Sequence, residues 1–177
     1  MSGSLRLALQ SSLRTYRKFE NGERLVRKSL HHLNDFLEIK SRISNLSPDS
    51  ERKWGRMNAA QMLNHCIQVL KVPMKKNKLP KVFIVLKWVG ILAKYEMKIF
   101  NNGIPHNMPT FKKLIITFDC NFETSKAQLL KTLDDYAEFR TQNKLPSQHQ
   151  LFGKMTEEMW GFLEYKHLNH HLKQFNV

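Results

Sequence analysis

An all-α fold is predicted for this chain by three observations. Apolar residues recur at helical spacing in four segments of about 15–22 residues. Asn58 and Thr156 open two of these segments with N-cap chemistry. The one β-like run, Leu114-Ile115-Ile116-Thr117-Phe118, finds no second strand, and one strand makes no sheet.

The elements follow in order. A first helix is expected over residues 24–43, with Leu25, Val26, Leu30, Leu33, Leu37 and Ile43 as its apolar positions. Residues 44–57 read as a loop, with turn chemistry at Pro48-Asp49-Ser50. Asn58 then caps a second helix, and Gln61 three residues later completes a capping-box pattern. This helix is expected to reach Val72, where Pro73 discourages continuation. A lysine-rich link leads to a third, strongly apolar helix over residues 81–100, ended by Asn101-Asn102-Gly103. About twenty irregular residues follow, with Pro105 and Pro109 among them. A fourth helix is expected over residues 122–143, using Leu129, Leu130, Leu133 and Phe139, before Pro146. Thr156 caps a fifth, with Glu157 and Glu158 in the positive first turn, and it runs to Phe175.

Four amphipathic helices suit a four-helix bundle. The second and fourth are joined by a long connection that contains the third. That favours one crossover, with the second and fourth helices parallel. The expected order is up, down, down, up, with an extra helix in the crossover.

The 177 residues and 41% apolar content are enough for one domain with a real core. The formal charge of +14 is uneven. Residues 1–58 hold 12 basic and 6 acidic side chains, residues 59–118 hold 10 and 1, and residues 119–177 hold 7 and 8. A basic balance invites nucleic acid or acidic lipid, but the last third cannot share in that reading. The five lysines in residues 71–81 lack interleaved aromatic side chains, so they read as a solvated loop and no specific nucleic-acid partner is expected. Cys66 and Cys120 make no disulfide framework, which suggests a reducing, cytoplasmic setting. No run is long enough for a transmembrane segment. The first 18 residues carry four basic residues and no acid, weakly like an organellar transit peptide. The plainer reading makes residues 1–24 a poorly ordered extension and residues 25–177 the domain.

The chemistry gathers at His167-Leu168-Asn169-His170-His171. His167 and His171 are four apart on a helix and project from one face. Two such imidazoles can chelate a divalent metal, and catalytic zinc sites usually take three protein ligands. Eight histidines make one such pair unsurprising by chance, and histidines near a helix C-terminus also suit its dipole. In the expected bundle the start of the second helix faces the end of the fifth, which brings His65 level with the pair. His31, His32 and His149 fall at other heights. The alternative for His65 is a buried histidine donating to a backbone carbonyl.

A family resemblance adds to this. The chain carries Leu46-Ser47-Pro48-Asp49-Ser50-Glu51-Arg52-Lys53-Trp54-Gly55-Arg56-Met57, then Ala60-Gln61-Met62-Leu63-Asn64-His65-Cys66. It continues with Asn107-Met108-Pro109-Thr110, Leu151-Phe152-Gly153-Lys154-Met155-Thr156, and the run from Tyr165 through His167, His170 and His171 to Gln174-Phe175. This pattern resembles an uncharacterised branch of the DinB-like/YfiT-like superfamily of metal-dependent four-helix-bundle proteins. The resemblance covers residues 25–177. It implies His65, His167 and His171 as metal ligands and a divalent cofactor, zinc first, with nickel, iron or manganese open. Some members of the superfamily are thiol-dependent S-transferases or isomerases. It therefore implies a small-molecule substrate, with a low-molecular-weight thiol or water as the activated group. No catalytic residue is assigned. The chain departs from the branch at His149-Gln150-Leu151, where His-Pro is usual, and at Asn169 and Asn176, where Asp and Gly are common.

Other residues are placed around this centre. His170 points about 100° from His171 and reads as a packing or supporting residue. Gln174 is positioned to bond a bound water or ligand. Glu164 either orients His167 or pairs at the surface with Lys166 or Lys154. Trp54 and Arg56 on the loop before the second helix, with His106, Asn107 and Thr110, are expected at the same end of the bundle. An arginine near an open metal would suit an anionic or thiol substrate, whereas Trp54 in the plainer reading plugs the bundle end. Cys66 reads as a buried thiol. The competing function is a basic helical binding or interaction protein with a vestigial site. Its apolar third helix would be buried against the bundle or in a homodimer.

Overall fold

The computed structural model describes residues 27–177. The expected extension over residues 1–24 lies outside them, as do residues 25 and 26 of the first predicted helix. The chain is mostly helical: five α-helices and one two-stranded hairpin are present among the described residues.

Helix α1 spans Leu33–Ser44, nine residues later than the expected start at 24. Two local side chains and one distant carbonyl take the backbone donors just before it. Ser29 N–H goes to the Asp35 carboxylate (2.9 Å), Leu30 N–H to the Gly161 carbonyl (3.0 Å) and His31 N–H to Ser29 Oγ (3.1 Å). Donors committed in that way cannot close i−4 helical bonds. Of the positions read as apolar, Ile43 is buried as expected, whereas Leu33 and Leu37 are 71% and 53% exposed and Ile39, not among them, is buried.

Helix α2, Ala59–Leu70, starts as expected and stops two residues short of Val72. Its capping box is complete: Gln61 N–H donates to Asn58 Oδ1 (2.9 Å), and Asn58 N–H to Gln61 Oε1 (3.0 Å). Helix α3, Ile84–Phe100, ends on Asn101 in the left-handed region (φ 53°). The run 114–118 forms no strand. A short 3₁₀ turn, Lys112–Leu114, leads into extended backbone in which Leu114 and Ile116 are buried and Ile115 is exposed. Helix α4, Phe122–Thr141, is capped by Asn121, whose side chain accepts from Thr124 N–H (2.9 Å). Strands β1 (Gln148–His149) and β2 (Gly153–Lys154) pair antiparallel, an element the sequence reading missed. Helix α5, Glu157–Gln174, starts at Thr156, which accepts from Met159 N–H (3.2 Å).

Helix directions follow from long-range hydrogen bonds. Lys126 donates to the Ser44 and Leu46 carbonyls and Arg140 to the His31 carbonyl, so α1 and α4 are antiparallel. Leu30 N–H meets the Gly161 carbonyl and Arg42 meets Asn169, so α1 and α5 run the same way. Asn64 bonds Ser125 (2.6 Å) near the start of α4 while Lys76 reaches Asp135 (3.9 Å), so α2 and α4 also run together. The α2–α4 contact is the most extensive, and α5 packs on α1 and α2. The main core lies between these four helices and includes Ile39, Leu63, Ile67, Leu133 and Leu168. A smaller core of Met97, Met155, Met159, Trp160, Phe162 and Leu163 lies under the hairpin and α3. No described helix is long and apolar enough to cross a membrane.

Candidate metal centre

His65 comes from the second turn of α2, and His167 and His171 from the last turns of α5. The three imidazoles converge: one potential ligand atom from each lies within 4.8 Å of the others. Ring centroids are 5.0 Å apart for His65 and His167, 4.8 Å for His65 and His171, and 4.7 Å for His167 and His171.

Hydrogen bonds behind the rings set the tautomers. His65 Nδ1 lies 2.8 Å from the Leu114 carbonyl. A carbonyl only accepts, so Nδ1 carries the proton and Nε2 is bare when the ring is neutral. His171 Nδ1 lies 2.9 Å from Gln174 Oε1, while Gln174 Nε2 donates to the Trp54 carbonyl (2.6 Å). That second bond fixes which end of the amide is oxygen, so His171 Nδ1 also carries a proton. Bonds of this kind orient metal-binding histidines. His167 differs. Its Nε2 is 3.0 Å from His65 Nε2, and its buried Nδ1 has no partner. With Nδ1 protonated, two bare nitrogens would face one another at 3.0 Å, an arrangement a cation between them would relieve.

Burial keeps the cluster neutral. Desolvation pushes His171 down to about 3, with the neighbouring His65 adding to the effect. His167 falls well below the ordinary histidine value, through desolvation and then the other imidazoles. His65 is lowered by desolvation, partly offset by its bond to Leu114. Neutral imidazole is the form that binds metal. The residues present therefore fit a divalent ion in donor type, number and protonation state.

The other predicted site residues fare unevenly. His170 is half-buried, donates from Nδ1 to the Ile104 carbonyl (3.1 Å) and sits 5.5 Å from the Trp54 ring. Gln174 has both amide ends engaged with the protein, not turned toward a ligand. Glu164 takes neither role expected of it. It is 4% exposed, so it makes no surface pair, and both its Oε2 and His167 Nδ1 lack partners. Lys166 bonds the Asn101 carbonyl instead (2.7 Å). Burial alone pushes the Glu164 carboxyl up to about 8. Trp54 is half-buried and stacks on His106 at 3.7 Å, with its indole N–H unpartnered. Arg56, Asn107 and Thr110 line the same cavity as the histidines. Cys66 is buried, and desolvation pushes its thiol far up, out of nucleophilic use.

That cavity has a volume of about 520 Å³. Its walls are mainly apolar, with Val69, Phe83, Leu86, Met108, Phe111 and Phe152 among them. The sequence reading, which stressed Arg56 and polar groups, missed this. His149, expected at the far end, lies on the same cavity and accepts from the N–H groups of Leu151 (3.0 Å) and Phe152 (3.1 Å). A backbone carbonyl behind His65 is the alternative the sequence offers, but that Leu114 supplies it, and that Trp54 supplies the one behind Gln174, has no sequence signal because any residue carries the same group.

Fold and site together define a helical protein with a largely buried three-histidine cluster beside an apolar cavity. The chain belongs to the family described as Protein of unknown function (DUF1569), whose model matches residues 26–177. Comparison with curated proteins and with solved structures returned no match.

Proposed function

We propose that the protein binds a divalent metal through His65, His167 and His171 and uses it as a metal-dependent transferase or hydrolase of the DinB-like type. The observation that carries this reading is the convergence of three neutral imidazoles, two with their Nδ1 protons held by Leu114 and Gln174. The directions of α1, α2, α4 and α5 support an up-down-down-up bundle with α3 in the crossover. Zinc suits three imidazoles best, and nickel, iron or manganese can use the same donors. When bound, such an ion supplies the Lewis acidity that lowers the pKa of a thiol or of water.

The chain supplies the rest. Leu114 and Gln174 hold two rings in orientation, and the apolar walls exclude water and accept the hydrocarbon part of a small molecule. A low-molecular-weight thiol is the co-substrate class this reading favours. Elemental analysis of untagged protein tests it. About one equivalent of metal per chain is expected, lost in His65→Ala, His167→Ala and His171→Ala. Less than about 0.1 equivalent after zinc reconstitution overturns it.

A further inference from the structure

Helix α3 turns its apolar side outward. Its buried residues are Gly90, Lys94 and Met97. Its exposed ones include Ile84, Val85, Trp88, Val89, Leu92 (67%) and Ile99. At 100° per residue these six fall within an arc of about 140°. Glu96, near the C-terminal end, is the one charged residue in that arc. The inner side is held by a cation: Lys94 Nζ donates to the Phe152 (2.8 Å) and Lys154 (2.6 Å) carbonyls. The helix is thus anchored to the hairpin through Lys94, with Gly90 and Met97 packed on the same inner side, and a continuous apolar stripe of this size on the outer side signals an interaction surface.

The surroundings of the stripe say what fits it. Residues 59–118 carry 10 basic side chains and 1 acidic one. Lys78, Lys81 and Lys87 are exposed at the approach to α3 and on its first turns. Lys113 joins them, its Nζ donating to the Lys78 carbonyl (3.0 Å), with Lys112 beside it. A second copy docked on this face would oppose like charge to like charge, whereas an anionic surface complements it. Trp88 and Tyr95 add amphipathic rings of the kind that settle at a lipid–water boundary.

We propose that α3 lies flat on an anionic lipid surface, with its apolar stripe at the headgroup–acyl boundary and Lys78, Lys81, Lys112 and Lys113 among the headgroups. With 17 residues and no described helix able to span, α3 lies on the bilayer and does not cross it. Phe83, 89% exposed, and Leu86 also line the histidine cavity. Docking therefore brings the rim of that cavity to the lipid boundary. The surface is separate from the histidine cluster, and metal content does not enter its test.

The test is co-sedimentation of the full chain with vesicles of phosphatidylcholine alone or with phosphatidylserine added. Binding is expected to the anionic vesicles and to be at least about tenfold weaker to the neutral ones. Raising salt from about 0.1 M to about 1 M should weaken it further. Leu92→Glu should reduce binding at least about tenfold, and Lys78→Glu with Lys81→Glu comparably, with unchanged circular dichroism. The charge-reversed pair keeps the test valid if Leu92→Glu folds poorly. Equal binding to both vesicle types, or none to either, overturns the proposal. So does a dimer in light scattering that Leu92→Glu dissociates.

Discussion

Gln174 and His171 share a 2.9 Å hydrogen bond in which the amide oxygen accepts from the ring. The bond is fixed from behind, because the other end of the same amide donates to the Trp54 carbonyl. One side chain thereby orders a ring of the candidate metal centre and ties the loop before α2 to the end of α5. Gly55 makes room for it: a Cβ there would meet Gln174 Nε2 at 2.5 Å, on a backbone at φ +80°.

Gln174→Met should therefore cost about 1–3 kcal/mol of stability, since it leaves a buried carbonyl and a ring N–H unpartnered. Metal affinity should fall about 10–100-fold. Gln174→Glu can still accept from His171 but cannot donate to Trp54, so it should keep more affinity than Gln174→Met. Urea denaturation and competitive chelator titration read the two effects separately.

Gly90→Ala should destabilise the seat of α3. Its Cβ would lie 2.6 Å from both the Leu151 carbonyl oxygen and Cγ, and a backbone atom cannot swing aside. A cost of about 1–3 kcal/mol is expected from overpacking. Hydrogen exchange should show faster opening of α3 and the hairpin than of α2. An unchanged melting temperature would mean the helix sits less tightly than described.

Stability should fall as the solution is acidified. His31 and His149 are both pushed from 6.5 to about 4, chiefly by desolvation. Between those values the unfolded chain binds protons that the folded chain refuses, so the contribution is complete above pH 6.5 and is lost as pH drops toward about 4. His31 has a specific partner to lose, Tyr136 Oη at 2.9 Å. Urea midpoints taken at pH 7, 5.5 and 4.5 should decrease in that order; flat midpoints would contradict the burial of these rings.

Glu164 acts in the opposite direction. Its carboxyl titrates near 4.5 when unfolded and near 8 when folded, so the folded state holds the extra proton in that window. Its contribution is greatest below about 4.5 and is lost as pH rises through about 8. Glu164→Met removes the orphaned carboxyl at similar volume. The variant should be more stable than the parent, with a gain that grows from pH 5 to pH 9. Thermal melts across that range decide it, and a gain that shrinks with pH would show that Glu164 has a partner.

Much of this was legible because it is local. The Asn58–Gln61 capping box, the Thr156 cap and the starts of α2, α4 and α5 depend on residues a few positions apart. His167 and His171 share a face because helix geometry requires it. The start of α1 was not legible, since the donors of residues 29–31 are taken by Asp35, Gly161 and Ser29. The hairpin at residues 148–154 has only two-residue strands, too short for an alternating pattern to show.

By itself the sequence determined the helices, their caps and the histidines worth watching, because periodicity and side-chain chemistry are written residue by residue. The tertiary structure alone decided how those residues are used. It set two tautomers through Leu114 and Gln174, buried Glu164 without a partner, brought His149 to the histidine cavity and turned the apolar side of α3 outward. The physical reason is that burial and backbone hydrogen bonding belong to neighbours in space. A carbonyl carries no sequence signature, and an apolar stripe reads the same whether it faces inward or outward.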